Sequence, residues 1–256
     1  THFGYREVDV EKKQGLVREV FDSVAGKYDL MNDVMSLGTH RLWKNYTIAS
    51  SNVTKGDHVL DIAGGTGDLA IKFRKKVGAS GKVILSDINN SMLDEGRRNL
   101  INHGIIDVEF VQANAEMLPF EDNTFDLVYG TGILHHLNIE ICLEEIQRIL
   151  KPGGRFLFIE PLGTNPLINL YRKLTPGSRS TDEHPLIDHD INFIKNRFHN
   201  VKIKYYGFLT LVFFPFYASP KNSVIFNILK NIDQFLFKIG VFKKLAWSIM
   251  IVAQKN

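Results

Sequence analysis

From residue 58 onward, short apolar runs alternate with amphipathic stretches. The runs at 58–63, 82–88, 108–114, 125–131 and 155–160 are six or seven residues long and rich in Val, Ile, Leu and Phe, as expected of buried strands. Between them, 68–77, 91–101 and 140–150 carry apolar residues at helical spacing. Ser91 is the predicted N-cap of the second of these helices, and Pro152-Gly153-Gly154 the stop of the third. A helix at 190–198 and two strands at 201–206 and 247–253 complete the pattern. Strands alternating with helices at this spacing predict an α/β Rossmann-like fold, a mostly parallel seven-stranded sheet with helices on both faces. Upstream, Leu16, Val17, Val20, Phe21 and Val24 form one apolar stripe of a helix ended by Gly26. One domain is expected over the 256 residues. Residues 1–50 would be an N-terminal helical cap, 51–161 a cofactor-binding core, and 162–256 a substrate-side segment with an apolar insertion at 207–246. Residues 165–190, rich in Pro, Ser, Asp and His, read as partly ordered.

Composition narrows the partners. A net charge of +3 and the lack of a dense Lys/Arg cluster argue against nucleic acid. The one cysteine, Cys142, lies among Ile141, Leu143 and Ile146 in a helical pattern and reads as a buried small hydrophobe. With no disulfide possible within the chain, and the first twenty residues charged and without an apolar core, a cytoplasmic protein without signal peptide is expected.

The sharpest feature is Val59-Leu60-Asp61-Ile62-Ala63-Gly64-Gly65-Thr66-Gly67-Asp68, a strand running into a glycine turn that opens a helix. Gly65 and Gly67 permit positive φ and close approach of a ligand. Asp87, twenty residues after Gly67, ends the second strand, where a carboxylate can accept ribose hydroxyl protons. Gly65, Gly67 and Ala70 also fit a dinucleotide fingerprint, and a tight turn with no ligand is the plainest alternative. Asp61 separates the first two readings: a carboxylate before the turn repels a pyrophosphate and attracts the ammonium of a methionine moiety. The expected cofactor is therefore S-adenosylmethionine (SAM), and the expected fold a class I methyltransferase. Asn114 and Ala115 end the third strand, where an amide and a backbone N–H can read adenine. Asn114 is equally well a turn residue capping that strand. Thr131 ends the fourth strand at the switch point of the sheet.

The stretches Thr1-His2-Phe3-Gly4, Lys27 to Asp33, Ser36 with His40 to Trp43, Asp61 to Asp68, Ser86 to Asn89, and Gln112 to Glu116 with Leu118-Pro119-Phe120 resemble the ubiquinone/menaquinone biosynthesis C-methyltransferase family over residues 1 to about 126. The resemblance implies cofactor contacts at Thr66, Asp87, Asn114, Ala115 and Thr131, and methylation of a ring carbon of a polyprenyl-quinol precursor, a small lipophilic substrate. From Gly132 on, the chain departs. His135-His136 stand where that family has an Arg-Asn pair. Glu160 to Gly163, Asn165 to Arg172 and Asp182 to Leu186 resemble another, substrate-unassigned group of class I methyltransferases.

Ring methylation is helped by a base that removes a hydroquinone proton, and His135 and His136 follow the strand bearing Thr131. A pair that only packs against the helix at 140–150 is the alternative. Asp182, His184, Asp188 and His189 lack zinc-type spacing, so no metal is expected. The run at 207–218 is too short to cross a bilayer. Ile225, Ile228, Leu229, Ile232, Phe235, Leu236 and Ile239 then share a side, followed by Lys243 and Lys244. Such a helix lies on a membrane or packs on the protein's own core. The competing functions are methylation of another small or lipid substrate, a nicotinamide-dependent oxidoreductase, and a SAM-binding protein without catalysis.

Overall fold

The computed structural model describes residues 2–3, 6–7, 39–174, 183–213 and 224–256, with side chains from Lys44 onward except that of residue 171. The helix expected at 16–24 and most of the 28–43 stretch lie outside the described residues. The backbone pairs His2–Phe3 with Arg6–Glu7 in antiparallel fashion, and helix α1 spans Thr39–Ser51.

Seven strands form one sheet: β1 His58–Ile62, β2 Lys82–Asp87, β3 Glu109–Gln112, β4 Phe125–Thr131, β5 Leu150–Pro161, β6 His199–Tyr206 and β7 Ser248–Gln254. Their order is β3-β2-β1-β4-β5-β7-β6. The first five are parallel and β7 is antiparallel to both of its neighbours. The chain moves outward from β1 in one direction through β2 and β3. It then returns to place β4 on the other side, so a crevice opens at the carboxyl ends of β1 and β4.

Strand alternation supplies two cores. Val59, Val83, Leu85, Leu127 and Leu157 point to one face, covered by α2 (Asp68–Val77) and α3 (Asn90–Asn102) through Phe73, Val77, Leu93 and Leu100. Leu60, Ile84, Val128, Phe156 and Phe158 point to the other, covered by α4 (Ile139–Ile149) and later by α6 (Asp188–Arg197). Burying each such side chain contributes about 1.5–3 kcal/mol, which is why the near-continuous apolar runs settle as central parallel strands. Cys142 lies in the second core, fully buried.

Two local expectations need correction. The cap of α3 is Asn89, not Ser91: its Oδ1 accepts the N–H groups of Ser91 and Met92 at 2.8 and 3.3 Å, and the helix starts at Asn90. Asn and Ser both cap well, and the extended backbone at residue 89 settles which one does. Pro152-Gly153-Gly154 follows the end of α4 but does not delay the strand, because β5 begins at Leu150 and carries these residues across a register shift against β4. A Cβ at Gly154 would lie 2.9 Å from the Phe125 carbonyl oxygen. Within the 165–190 stretch, Pro166–Leu174 forms helix α5, its first turn capped by Asn165 Oδ1, and residues 175–182 lie outside the described residues.

Candidate active site

The glycine turn sits between β1 and α2. Ala63, Gly65 and Gly67 all have positive φ, at 52°, 54° and 78°. Asn99 of α3 donates to the Thr66 carbonyl at 3.0 Å, and a Cβ at Gly96 would stand 2.9 Å from the Gly65 carbonyl oxygen. Helix α3 thus holds the turn from behind and leaves its other side toward the crevice.

Asp61 is 1% exposed, and its Oδ2 has no hydrogen-bond partner among the described residues. Burial, with the nearby Asp87 charge, pushes its carboxyl up to about 8. A buried acceptor without a donor is costly unless a ligand supplies one. Asp87, one strand away, accepts from Gly65 N at 3.1 Å and Asn89 N at 2.9 Å, and burial raises its pKa as well. The carboxylate keeps acceptor capacity for a hydroxyl donor. Gly64 has no room for a side chain: its Cβ would meet Asp61 Cγ at 2.9 Å. This cradle suits a ligand carrying an ammonium and a ribose.

The remaining expected contacts are unequal. Thr66 is 5% exposed and lies inside the turn. Ala115 is buried below an exposed Asn114, whose Oδ1 accepts from Glu116 N at 3.0 Å. The turn-capping role left open for Asn114 is therefore present. Thr131 is exposed at the end of β4 and hydrogen-bonds the Tyr129 hydroxyl. Burial and the neighbouring Asp61 raise the Tyr129 pKa, so that phenol stays protonated. Lys44, which the sequence did not single out, reaches from α1 to pair with Asp68 at the start of α2.

His135 and His136 form a short 3-10 turn with Leu134, and their ring centroids are 4.1 Å apart. Behind them is Glu160, with a fully buried side chain, at the end of β5. Its Oε2 lies 2.8 Å from His135 Nδ1, and its Oε1 accepts the backbone N–H groups of Ile133 and Leu134, each at 3.0 Å. The sequence reading missed Glu160 as a site residue. The signal was there: in register, Thr131 of β4 sits beside Ile159 of β5, so a carboxylate at 160 must emerge next to the loop that follows Thr131. His184 N donates to the His135 carbonyl at 2.8 Å, which brings the 183–187 stretch against the pair. His136, Asn138, Glu140, His184, His189 and Asp190 line an open cavity of about 500 Å³ beside it. Among the described residues no three His, Cys, Asp or Glu side chains group to hold a metal ion.

The sequence profile of the ubiE/COQ5 methyltransferase family matches residues 7–173. The chain belongs to that family. The match runs past residue 126, through β4, the histidine pair and β5 into α5. A ubiquinone/menaquinone biosynthesis C-methyltransferase of Hahella chejuensis is 57% identical over 172 residues, 66% of this chain and 69% of its own. One from Francisella tularensis subsp. novicida is 54% identical over 176 residues, 68% and 70% of the two chains. Among solved structures, a SAM-dependent methyltransferase of Aquifex aeolicus superposes with a TM-score of 0.52 at 16% identity, over 83% of this chain and 89% of that one. The Haemonchus contortus phosphoethanolamine N-methyltransferase 2 in complex with SAM does so with 0.61 at 17%, over 84% and 52%. These two likenesses are of fold. This family member is a SAM-dependent methyltransferase, and the pyrophosphate reading of its glycine turn is set aside.

Proposed function

We propose that the enzyme methylates a ring carbon of a polyprenyl-quinol precursor in ubiquinone/menaquinone biosynthesis, acting at the cytoplasmic side of a membrane that holds this small lipophilic substrate. The reading is supported by the family match, which covers β1 to β5, and by relatives of that name. The observation that carries it in the structure is the buried Oδ2 of Asp61 in the glycine cradle, without a partner among the described residues. Asp61 would take the methionine ammonium and Asp87 the ribose hydroxyls. Gly65, Thr66 and Gly67 would give backbone contact, Asn114 and Ala115 the adenine edge, and Thr131 the end of the crevice nearest the chemistry.

SAM, when bound, supplies an electrophilic methyl group on a positively charged sulfur. The chain must then hold a nucleophilic carbon in line with that methyl, keep water out, and accept one phenolic proton. His135 is built to accept it. A carboxylate accepts and does not donate, so the tautomer that Glu160 favours carries its hydrogen on Nδ1 of His135 and leaves the lone pair on Nε2. Glu160 thereby fixes tautomer and orientation without touching the substrate. His136, its ring tilted 40° against that of His135, lines the cavity, where it would contact the substrate ring.

The test is cofactor and substrate together. Asp87→Ala should weaken SAM binding by about 1.5–3 kcal/mol, the range for hydrogen bonds to a charged group. The wild type should transfer methyl from SAM to a demethylated quinol in lipid extract, detected by mass shift on a ring fragment. Transfer to oxygen instead of carbon, or an unchanged affinity in Asp87→Ala, would overturn the corresponding half of the reading.

A further inference from the structure

Helix α8, Val224–Leu236, is turned the opposite way from an ordinary surface helix. Its one acidic residue faces inward: Asp233 is 3% exposed and accepts from Phe208 N, Leu209 N, Thr210 N and Thr210 Oγ1 at 3.3, 2.8, 3.1 and 2.7 Å. Phe237, just beyond the helix, is buried against Tyr205 of β6. With these two anchors set, the apolar stripe points out. Ile225, Ile228, Ile232 and Phe235, spaced three and four apart and hence on one face, are 51, 53, 40 and 64% exposed, and Ile239, just past the end of the helix, is 49% exposed. A satisfied helix buries such a stripe; this one leaves it bare.

The charge around the stripe is one-sided. Residues 207–256 contain six lysines, at 221, 230, 238, 243, 244 and 255, and a single acid, Asp233. Because Asp233 is inside, residues 207–256 present no carboxylate side chain to solvent, while Lys230, Lys238 and Lys244 are exposed; Lys244 faces the exposed Asp188 of α6 at 3.9 Å, which leaves Lys230 and Lys238 as the cations beside the stripe. Its place in the fold is also definite. β6 is antiparallel to β7 and β7 to β5, so β6 ends at the same edge of the sheet as β1 and β4. The 207–247 connection leaves from that edge and is pinned to the segment after β5. Leu162 N donates to the Trp247 carbonyl at 2.7 Å and Asn165 Nδ2 to the Leu245 carbonyl at 2.5 Å.

We propose that the exposed face of α8 is an interfacial contact with an anionic lipid surface, seating the crevice edge of the enzyme on the bilayer. Apolar side chains sink into the headgroup boundary while lysines meet lipid phosphates. The helix is 13 residues, about 20 Å, and among the described residues no helix is long and apolar enough to cross a membrane. It therefore lies flat. A second copy of the chain is the poorer occupant, since a two-fold contact would set the Lys230 and Lys238 charges of one copy against those of the other. The inference deepens the quinol reading by naming the surface through which a membrane-held substrate is met, and its test needs no turnover.

Full-length protein is sedimented with vesicles of phosphatidylcholine alone and of phosphatidylcholine with roughly a third phosphatidylglycerol. Binding is expected to the anionic vesicles and should weaken as salt rises. Ile228→Ser with Phe235→Ser, both already exposed, should lower the partition coefficient at least about tenfold while circular dichroism and SAM affinity stay as in wild type. Lys230→Gln with Lys238→Gln should weaken binding to anionic vesicles alone. Equal recovery in the supernatant with and without vesicles, or unchanged binding by the Ile228/Phe235 variant, overturns the proposal. So does a wild-type dimer that the same variant converts to monomer without any vesicle binding, which assigns the face to a second copy.

Discussion

His135 Nδ1 lies 2.8 Å from Glu160 Oε2, and the same carboxylate holds the loop that carries the histidine through the N–H groups of Ile133 and Leu134. One side chain at the end of β5 therefore fixes both the backbone and the ring. Glu160→Gln keeps an oxygen for the two backbone donors but presents an NH2 toward Nδ1, which then must accept, moving the ring hydrogen to Nε2. Methyl transfer should fall by about 10²–10⁴-fold, the usual contribution of a positioned acid–base group, with SAM affinity unchanged. Single-turnover rates and calorimetry on the same variant check it; equal loss of both would mean that the carboxylate serves only to hold the loop.

Asp61 ties the ligand to pH. Its carboxyl is raised from an ordinary value of 3.8 to about 8, by burial first and Asp87 second. A raised acid keeps its proton on folding, so the ligand-free protein loses stability as pH climbs from about 4 to 8, where the unfolded chain ionises and the folded one does not. An ammonium placed beside Oδ2 reverses the preference. SAM binding below pH 8 should therefore release close to one proton, and affinity should rise with pH up to that value. Calorimetry in buffers of different ionisation heat measures the proton directly. Asp61→Asn should abolish the release and flatten the stability profile between about pH 4 and 8. A binding enthalpy that does not vary with buffer would place the ammonium elsewhere.

Gly67 tests the turn without the cofactor. Its φ is +78°, and a Cβ there would meet Leu100 Cδ1 at 2.5 Å and Leu85 Cδ1 at 3.0 Å. Gly67→Ala combines backbone strain with overpacking of α3 on β2, at a cost of about 1–3 kcal/mol each. Urea unfolding of the ligand-free variant should show the loss as a lower midpoint at constant slope.

The parts of the molecule legible from sequence were those set by periodicity. Apolar runs marked β1, β2, β4 and β5 because central parallel strands are buried on both faces, and Asp61 and Asp87 followed from their ends. What escaped were choices between equivalent donors and between faces. Asn89 and Ser91 are both good caps, and only backbone geometry prefers the first. The stripe at 225–239 was visible, but its direction is decided by Asp233 reaching the N–H groups of residues 208–210, a contact across more than twenty positions. Glu160 escaped for a related reason: it gains meaning only beside His135, twenty-five residues away in the turn that follows the neighbouring strand.

The two histidines should separate cleanly. His135 is held by Glu160 and 13% exposed at its side chain, whereas His136 is exposed and lines the cavity. If His135 is the base, His135→Gln should reduce methyl transfer by about 10²–10⁴-fold at saturating substrate, because an amide fills the space but accepts no proton at neutral pH. A readily ionised phenolic analogue should restore much of that rate, since its proton is lost without help. His136→Gln should instead raise KM for the quinol with a smaller effect on kcat, the pattern of a lost binding contact. Neither change should alter SAM affinity, as the Asp61–Asp87 cradle is on other strands. A fall in kcat confined to His136→Gln and rescued by the same analogue would transfer the base role to His136. His135 would then remain as the group through which Glu160 sets its neighbour's position.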